Sequence, residues 1–288
     1  MGHLNKALLR IEIWRDQKQS SMAVEYILKS SCYTSKKNCH NYMSKSHSLL
    51  PNLFISGVQK AGTTALASFL EQHPDICLVK NKEAHVFDDP ALQKAQDKSQ
   101  FVHEKYAEKL QHYSGEKYIL DATPITILHP LFVEQCADFC PDALHIVMLR
   151  DPVERALSHY TMSKLKGRED FSPIKAFLSE AKRLEGFYEE LPKSEFKSKY
   201  RDQSYLIRGL YKRQLRSLRC RFNDSAIKVL DQSELLKCHH QTLNNVFSFL
   251  DLPKIDVPEK RVFTSQDDIH LPFWVKVALK VYFQIADR

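Results

Sequence analysis

Residues 51–74 read PNLFISGVQKAGTTALASFLEQHP, and this stretch decides the fold. It begins with a compact apolar run, continues through a loop bracketed by Gly57 and Gly62, and ends in a helical pattern that Pro74 terminates. An apolar run that leads into a glycine loop is typical of a buried strand, and Leu66, Phe69 and Leu70 recur at helical spacing. Backbone N–H groups and the dipole of a helix N-terminus attract anions, so this strand, loop and helix predict an anion-binding loop.

Strands and helices alternate along the rest of the chain. Apolar runs at 116–120, 143–149 and 226–230 predict three further strands, and Asp151 and Pro152 suit the start of a helix after the second run. Such alternation indicates a parallel sheet with right-handed helical crossovers. We therefore predict an α/β fold, with a single P-loop-like domain over residues 51–288 in which helices flank a central parallel sheet.

The first 50 residues are predicted to be an N-terminal extension and linker. A short amphipathic helix is expected through Leu8, Ile11 and Trp14, and a polar run follows it. Charged residues interrupt the segment where a signal peptide needs its apolar core. No apolar run reaches the length of a membrane span. The seven cysteines include no C-x-x-C pair, which favours reduced thiols and a reducing compartment.

The charge balance is moderately basic, with 42 Lys and Arg against 35 Asp and Glu and a formal net charge of +7. This excess favours an anionic ligand without identifying it. Arg208, Lys212 and Arg216 are spaced along one helical row, which suits either a basic groove or, more commonly, a solvated charged face. No recognised nucleic-acid motif is present, so we expect no nucleic-acid partner.

The lysine of the glycine loop is displaced. In loops that hydrolyse ATP or GTP, the lysine follows the second glycine and reaches the transferred phosphate, with Mg²⁺ nearby. Here Thr63 has that position, and Lys60 lies inside the loop. A plain strand-to-helix turn with a chance lysine is the alternative, but the flanking strand and helix patterns favour a phosphate loop. The displacement argues against an ordinary ATPase.

Three segments resemble the sulfotransferases that use 3′-phosphoadenylyl sulfate (PAPS). GVQKAGTTAL (57–66) resembles their 5′-phosphosulfate loop, and LRDPVERALSHY (149–160) resembles their 3′-phosphate segment. HPDICLVKNKEAHVFDD (73–89) is similar to the heparan sulfate sulfotransferase branch. The three segments occur in the family's order, and the resemblance covers residues 51–253.

The resemblance implies PAPS as the sulfuryl donor and the 3′,5′-bisphosphate PAP as the product. It assigns the donor's 5′-phosphosulfate to Lys60, Ala61, Gly62, Thr63 and Thr64, and the 3′-phosphate to Arg150 and Ser158. A sulfuryl group carries less charge than a phosphoryl group, so Lys60 can stabilise the leaving oxygen in place of a metal, and we expect no metal requirement. A structural ion pair of Arg150 with Asp151 or Glu154 is the alternative for that arginine.

The same resemblance assigns the catalytic base to Glu83. His85 either orients Glu83 or is itself the base, and the two side chains share a face if the segment is extended. The alternative for Glu83 is an exposed acid in a charged loop. Two departures from the family bear on the acceptor and on closure over the nucleotide. Ala122 stands where the heparan branch has a lysine, and no glycine follows Gly209 to form the family's C-terminal basic loop, so that end is either incomplete or built differently.

The leading functional prediction is transfer of a sulfuryl group from PAPS to an acceptor hydroxyl or amine, with small molecules and carbohydrates as candidate acceptors. One alternative is a P-loop nucleotide kinase or NTPase, in which Asp121 at a strand end would hold a metal. The other is a non-catalytic basic module that binds anions. We expect a cytoplasmic chain, or a luminal Golgi domain if an anchor precedes it. The oligomeric state and the exact acceptor stay open.

Overall fold

A computed structural model describes residues 49–259 and 269–287. Its centre is a five-stranded sheet in the order β2-β3-β1-β4-β5, and every neighbouring pair of strands is parallel. The strands are β1 (Leu53–Gly57), β2 (Ile76–Leu78), β3 (Tyr118–Asp121), β4 (Leu144–Leu149) and β5 (Ile227–Asp231). The predicted α/β fold with a central parallel sheet is confirmed.

Helices connect and follow these strands. In chain order they are α1 (Thr63–Leu70), α2 (Pro90–Lys94), α3 (Lys98–Lys109), α4 (Pro130–Phe139), α5 (Pro152–Leu165), α6 (Pro173–Arg183), α7 (Phe187–Glu190), α8 (Lys199–Asp202), α9 (Tyr211–Arg219), α10 (Gln232–Lys237), α11 (His239–Phe249) and α12 (Phe273–Ala286). Short 3₁₀ turns lie at Thr126–Leu128, Leu191–Lys193, Ile207–Gly209 and Asp224–Ala226. Among the described helices, none combines the length and apolar character that crossing a bilayer requires.

The strands predicted from apolar runs are present, with ends that differ by one or two residues. Strand β2 was not predicted, because its three residues are too few to show a periodic pattern. The helix predicted over Leu8, Ile11 and Trp14 and the linker after it lie outside the described residues. The division of the chain at residue 50 therefore stays a prediction.

The sheet brings the predicted site segments to one edge. Strands β1, β3 and β4 are neighbours, so the loop after Gly57, the segment after Asp121 and the segment after Leu149 all leave the carboxyl ends of adjacent parallel strands. Ligands of open α/β sheets bind at this edge. Gly57 allows the close packing there, since a Cβ on it would lie 2.4 Å from Ile127 Cγ2.

The predicted basic row on one helix is wrong. Arg208 lies in the 3₁₀ turn before α9 and is buried, and its Nε donates to Ser204 Oγ at 2.7 Å. Only Lys212 and Arg216 are on α9, where both are exposed. The chain leaves helical geometry at Leu210 (φ −84°, ψ 80°), and this break separates Arg208 from the row.

Candidate active site

The loop between β1 and α1 has the backbone of an anion site. Lys60 and Gly62 have positive φ angles of 73° and 90°. Such a conformation is uncommon for a lysine, and strained backbone of this kind clusters at functional sites. Helix α1 begins at Thr63, and no side chain of the described residues caps its first turn. The orphan N–H groups of that turn are therefore free to bind an anion.

Positive charge concentrates around Lys60. Burial lowers the pKa of the Lys60 ammonium, and so do the charges of Arg150, Lys166, Arg155 and Lys82. Several like charges close together are unfavourable unless an opposite charge joins them. The electrostatics of the loop thus fit a strongly anionic ligand such as a phosphosulfate.

Arg155 gives an independent indication of an anion beside this loop. The side chain is completely buried on α5, and its Nη2 donates to the carbonyl of Tyr205. Its Nε and Nη1 have no hydrogen-bond partner among the described residues. A buried charged group with unpaired donors is costly, and a bound anion would remove that cost. The residues present therefore fit a nucleotide that carries several phosphate groups.

Arg150 contacts the loop between β1 and α1. It follows β4, its Nη1 donates to the carbonyl of Lys60 at 3.2 Å, and its own carbonyl accepts a hydrogen bond from the Tyr211 hydroxyl at 2.9 Å. Ser158 is half-buried about two turns into α5. The structure thus places Arg150 against the loop and Ser158 on the helix that begins beside Arg150.

The alternative ion pairs of Arg150 are not formed among the described residues. Asp151 instead caps α5, since its Oδ1 accepts from the amides of Val153 and Glu154 at 3.0 Å. The Glu154 carboxylate lies 3.3 Å from the ammonium of Lys276 on α12. Both acids have other partners, so the charged end of Arg150 remains directed toward the loop.

Glu83 is at the centre of a chain of charged contacts. Its Oε1 lies 2.5 Å from Lys82 Nζ, and its Oε2 lies 3.0 Å from His85 Nε2. The other ring nitrogen, His85 Nδ1, lies 3.0 Å from Asp88 Oδ2, and Arg201 Nη1 lies 2.5 Å from the same oxygen. Glu83 and His85 are partly exposed, whereas Asp88 and Arg201 are buried. The chain therefore runs from a buried ion pair out to an accessible carboxylate.

These contacts set the ionisation of both candidate bases. Burial favours neutral Glu83, but the hydrogen bond from His85 and the charge of Lys82 outweigh it, and the pKa of Glu83 is lowered. Burial also disfavours a charged His85, but the hydrogen bonds and charges of Asp88 and Glu83 raise the pKa of His85 to about 10. At neutral pH His85 is therefore protonated, and Glu83 is the group able to accept a proton.

The end of β3 holds this segment in place. Asp121 is buried and accepts hydrogen bonds from Ala84 N at 3.3 Å, the Thr123 hydroxyl at 2.6 Å and the Tyr106 hydroxyl at 3.0 Å. The Thr123 oxygen in turn accepts from His85 N at 3.3 Å. Protein donors thus occupy Asp121, which the kinase alternative would use to hold a metal.

The Glu83 segment is not extended. Lys82 and His85 have φ angles of 69° and 52°, so the condition under which the spacing alone would put Glu83 and His85 on one face is not met. The predicted proximity of Glu83 and His85 does occur. The sequence predicts no role for Lys82, which stands in a charged run, or for Arg201, which lies 113 residues from its partner Asp88. No local signal could have identified Arg201.

Fold and site together define the class of protein. It is a P-loop-like α/β domain with a positively charged glycine loop at one edge of its sheet and, beside this loop, a carboxylate that contacts two cationic side chains. The family model described as "Sulfotransferase domain" matches residues 50–265. The chain belongs to this sulfotransferase family.

Individual relatives agree with this assignment. The chain is 30% identical over 231 residues to a bifunctional heparan sulfate N-deacetylase/N-sulfotransferase 1 of Caenorhabditis briggsae, over 79% of this chain and 26% of that protein. It is 34% identical over 119 residues to the membrane-associated sulfotransferase kil1 of Dictyostelium discoideum, over 40% of this chain and 23% of that protein. The crystal structure of a sulfotransferase from Alicyclobacillus acidocaldarius superposes with a TM-score of 0.67 and 26% identity, covering 82% of this chain and 92% of that one. The chain spans about a quarter of the length of these curated relatives.

Proposed function

We propose that this protein transfers a sulfuryl group from PAPS to an acceptor hydroxyl or amine. Family membership supports the reaction class, and it favours neither the kinase nor the non-catalytic binding module. The observation that carries the assignment of residues is one continuous line of contacts. The Thr64 hydroxyl of the loop accepts from Lys82 Nζ at 3.0 Å, and Lys82 contacts Glu83 at 2.5 Å. The donor loop and the candidate base therefore belong to one site.

The donor would be held by the residues of the loop and of α5. Lys60, the amides of the first turn of α1 and the hydroxyls of Thr63 and Thr64 would bind the 5′-phosphosulfate. Arg150 and Ser158 would bind the 3′-phosphate, a group that suits charge-assisted hydrogen bonds from arginine. PAPS supplies the activated sulfuryl group. We also propose that Lys60 makes a metal unnecessary for the transfer, so the reaction should persist with a chelator present.

Glu83 would take the acceptor's proton. As the acceptor oxygen or nitrogen bonds to sulfur, its proton passes to the Glu83 carboxylate, and the bond between sulfur and the 5′-phosphate oxygen breaks. The electron pair of that bond stays on the phosphate oxygen, where the Lys60 ammonium stabilises the charge. Protonated His85 holds Glu83 Oε2 in position and, because it already carries its proton, is not the base.

A carbohydrate is the acceptor that we propose. A shallow cavity of about 260 Å³ is lined mainly by charged and amide side chains, namely Arg168, Lys197, Ser198, Lys199, Asp202 and Gln203. Such groups form hydrogen bonds with polyols and pair with acidic sugars. Phe196, which precedes the lining residue Lys197, has its ring 5.5 Å from the His85 ring. Relatives named as heparan sulfate glucosamine 3-O-sulfotransferases support the same acceptor class.

For location, we propose the cytoplasm, or the Golgi lumen if an anchor precedes the chain.

The test uses labelled donor and a panel of sugars, small alcohols and amines, with Glu83→Gln, His85→Asn and the surface control Glu190→Gln. Loss of the general base should reduce kcat by roughly 10² to 10⁴ in Glu83→Gln. His85→Asn should lose less, and the Glu190→Gln control should match the wild type. Donor affinity should not fall in Glu83→Gln or in the control. If His85→Asn is inactive and Glu83→Gln is nearly normal, then His85 is the base and Glu83 orients it.

A further inference from the structure

Lys82 lies between the two halves of the candidate site. Its ammonium nitrogen contacts Thr64 Oγ1 on the loop at 3.0 Å and Glu83 Oε1 at 2.5 Å. The side chain is only 15% exposed, so its charge acts in a medium that screens less than bulk water. A single cation thus touches both the loop proposed to hold the donor and the carboxylate proposed to deprotonate the acceptor.

The backbone of Lys82 is held by two hydrogen bonds. The Lys82 amide donates to the carbonyl of Val79 at 2.9 Å, and the Lys82 carbonyl accepts from the amide of Ala122 at 3.0 Å. The ammonium itself is at the end of a flexible four-carbon stem. A short swing of this stem would change the partner of the ammonium without moving the loop.

The other charges around Glu83 leave Lys82 as the adjustable one. His85 holds Glu83 Oε2 at 3.0 Å, and Asp88 with Arg201 fixes His85 from behind. Two further groups flank this segment. Burial lowers the pKa of Lys60 on the loop, and the charge of Lys82 adds to this shift. The buried Asp121 binds the amide of Ala84.

An anion on the loop would therefore attract Lys82 as well as Lys60. We propose that the Lys82 ammonium moves from Glu83 to the phosphosulfate when the donor binds, so that Glu83 becomes a stronger base only in the donor-bound enzyme. This inference rests on the proposed function. A carboxylate that loses a cation at hydrogen-bond distance is protonated more readily, which gives the acceptor's proton a better destination. In the free enzyme the Lys82 ammonium keeps Glu83 a weak base, so we expect the donor to bind before the acceptor reacts.

The experiment follows the Glu83 carboxyl directly by carbon-13 NMR of glutamate-labelled protein. The Glu83 signal is assigned by its loss in Glu83→Gln, and its pKa is measured with and without PAP, the product that keeps both phosphates. In the wild type PAP should raise the pKa of Glu83 by about one unit. In Lys82→Met the pKa should already be higher without PAP, and PAP should shift it by less than half as much. Lys82→Arg keeps the charge and should behave like the wild type.

The wild-type titration tests the inference even if Lys82→Met does not fold. Calorimetry on the same samples separates this inference from the proposed function. If PAP does not bind to the wild type, the proposed function is wrong and the inference falls with it. If PAP binds but leaves the pKa of Glu83 unchanged, or shifts it equally in Lys82→Met, the inference alone is wrong. An equal shift would mean that the charge of PAP acts on Glu83 without any movement of Lys82.

Discussion

Replacing Asp88 with asparagine should destabilise the domain and change the ionisation of His85. Asp88 is 1% exposed and Arg201 is 6% exposed, and Arg201 Nη1 lies 2.5 Å from Asp88 Oδ2. Removing one partner of a buried ion pair typically costs about 3 to 5 kcal/mol, because the other charge stays buried without compensation. Asparagine keeps an acceptor oxygen for Arg201, so we expect the lower end, about 3 kcal/mol. For a domain of this size that corresponds to a fall in Tm of roughly 6 to 12 °C.

The assay is thermal unfolding, with Asp224→Asn as the matched control. Asp224 pairs with Arg219 at 3.0 Å, but its side chain is 81% exposed, and exposed pairs contribute little. The control should therefore melt with the wild type. If Asp88→Asn also melts within about 2 °C of the control, the buried pair does not stabilise the domain as the geometry implies.

The pH dependence of stability gives a second readout of the same variant. The pKa of His85 is about 10 in the folded protein and near 6.5 in the unfolded chain. The stabilisation that protonated His85 contributes is therefore complete below about pH 6.5 and is lost as the pH rises toward 10. The pKa of Asp88 is lowered by His85 and Arg201 despite burial, so its contribution is lost as the pH falls below about 4. Asp88→Asn removes a carboxylate from His85, which should lower the pKa of His85 and weaken the alkaline loss of stability. A proton NMR titration of His85 that is unchanged in the variant would contradict this account.

Two further predictions concern the donor. Lys60→Ala should cut turnover by on the order of 10²-fold while Tm changes little, because losing a hydrogen-bond donor at a developing negative charge costs on the order of 3 kcal/mol at the transition state. A fall of less than about tenfold in the steady-state rate would refute this role of Lys60. Arg150→Ala should weaken binding of PAP by about 1.5 to 3 kcal/mol, far more than binding of adenosine 5′-phosphate, because only PAP has the 3′-phosphate. Calorimetry with equal losses for both ligands would contradict the assignment.

The sequence by itself determined the class of fold and the location of the glycine loop between β1 and α1. Both depend on short-range patterns: an apolar run before Gly57, a helical pattern after Gly62, and strands that alternate with helices along the chain. In a parallel sheet the carboxyl ends of adjacent strands meet at one edge, so the sequence alone predicts that the loop and Arg150 lie close together. The family resemblance added the proposed role of Glu83, which no local pattern supplies.

Only the tertiary structure decided how the charged cluster around Glu83 and His85 is assembled. The turn that brings Glu83 against His85 has positive φ angles at Lys82 and His85, a conformation that residues other than glycine adopt uncommonly. The buried partner Arg201 arrives from a segment far along the chain, and Arg208 leaves its expected helical row because the backbone breaks at Leu210. Each of these features depends on contacts between segments distant in sequence. The ionisation of Glu83 and His85 follows from those contacts, because burial and neighbouring charges, and not residue type alone, set a pKa.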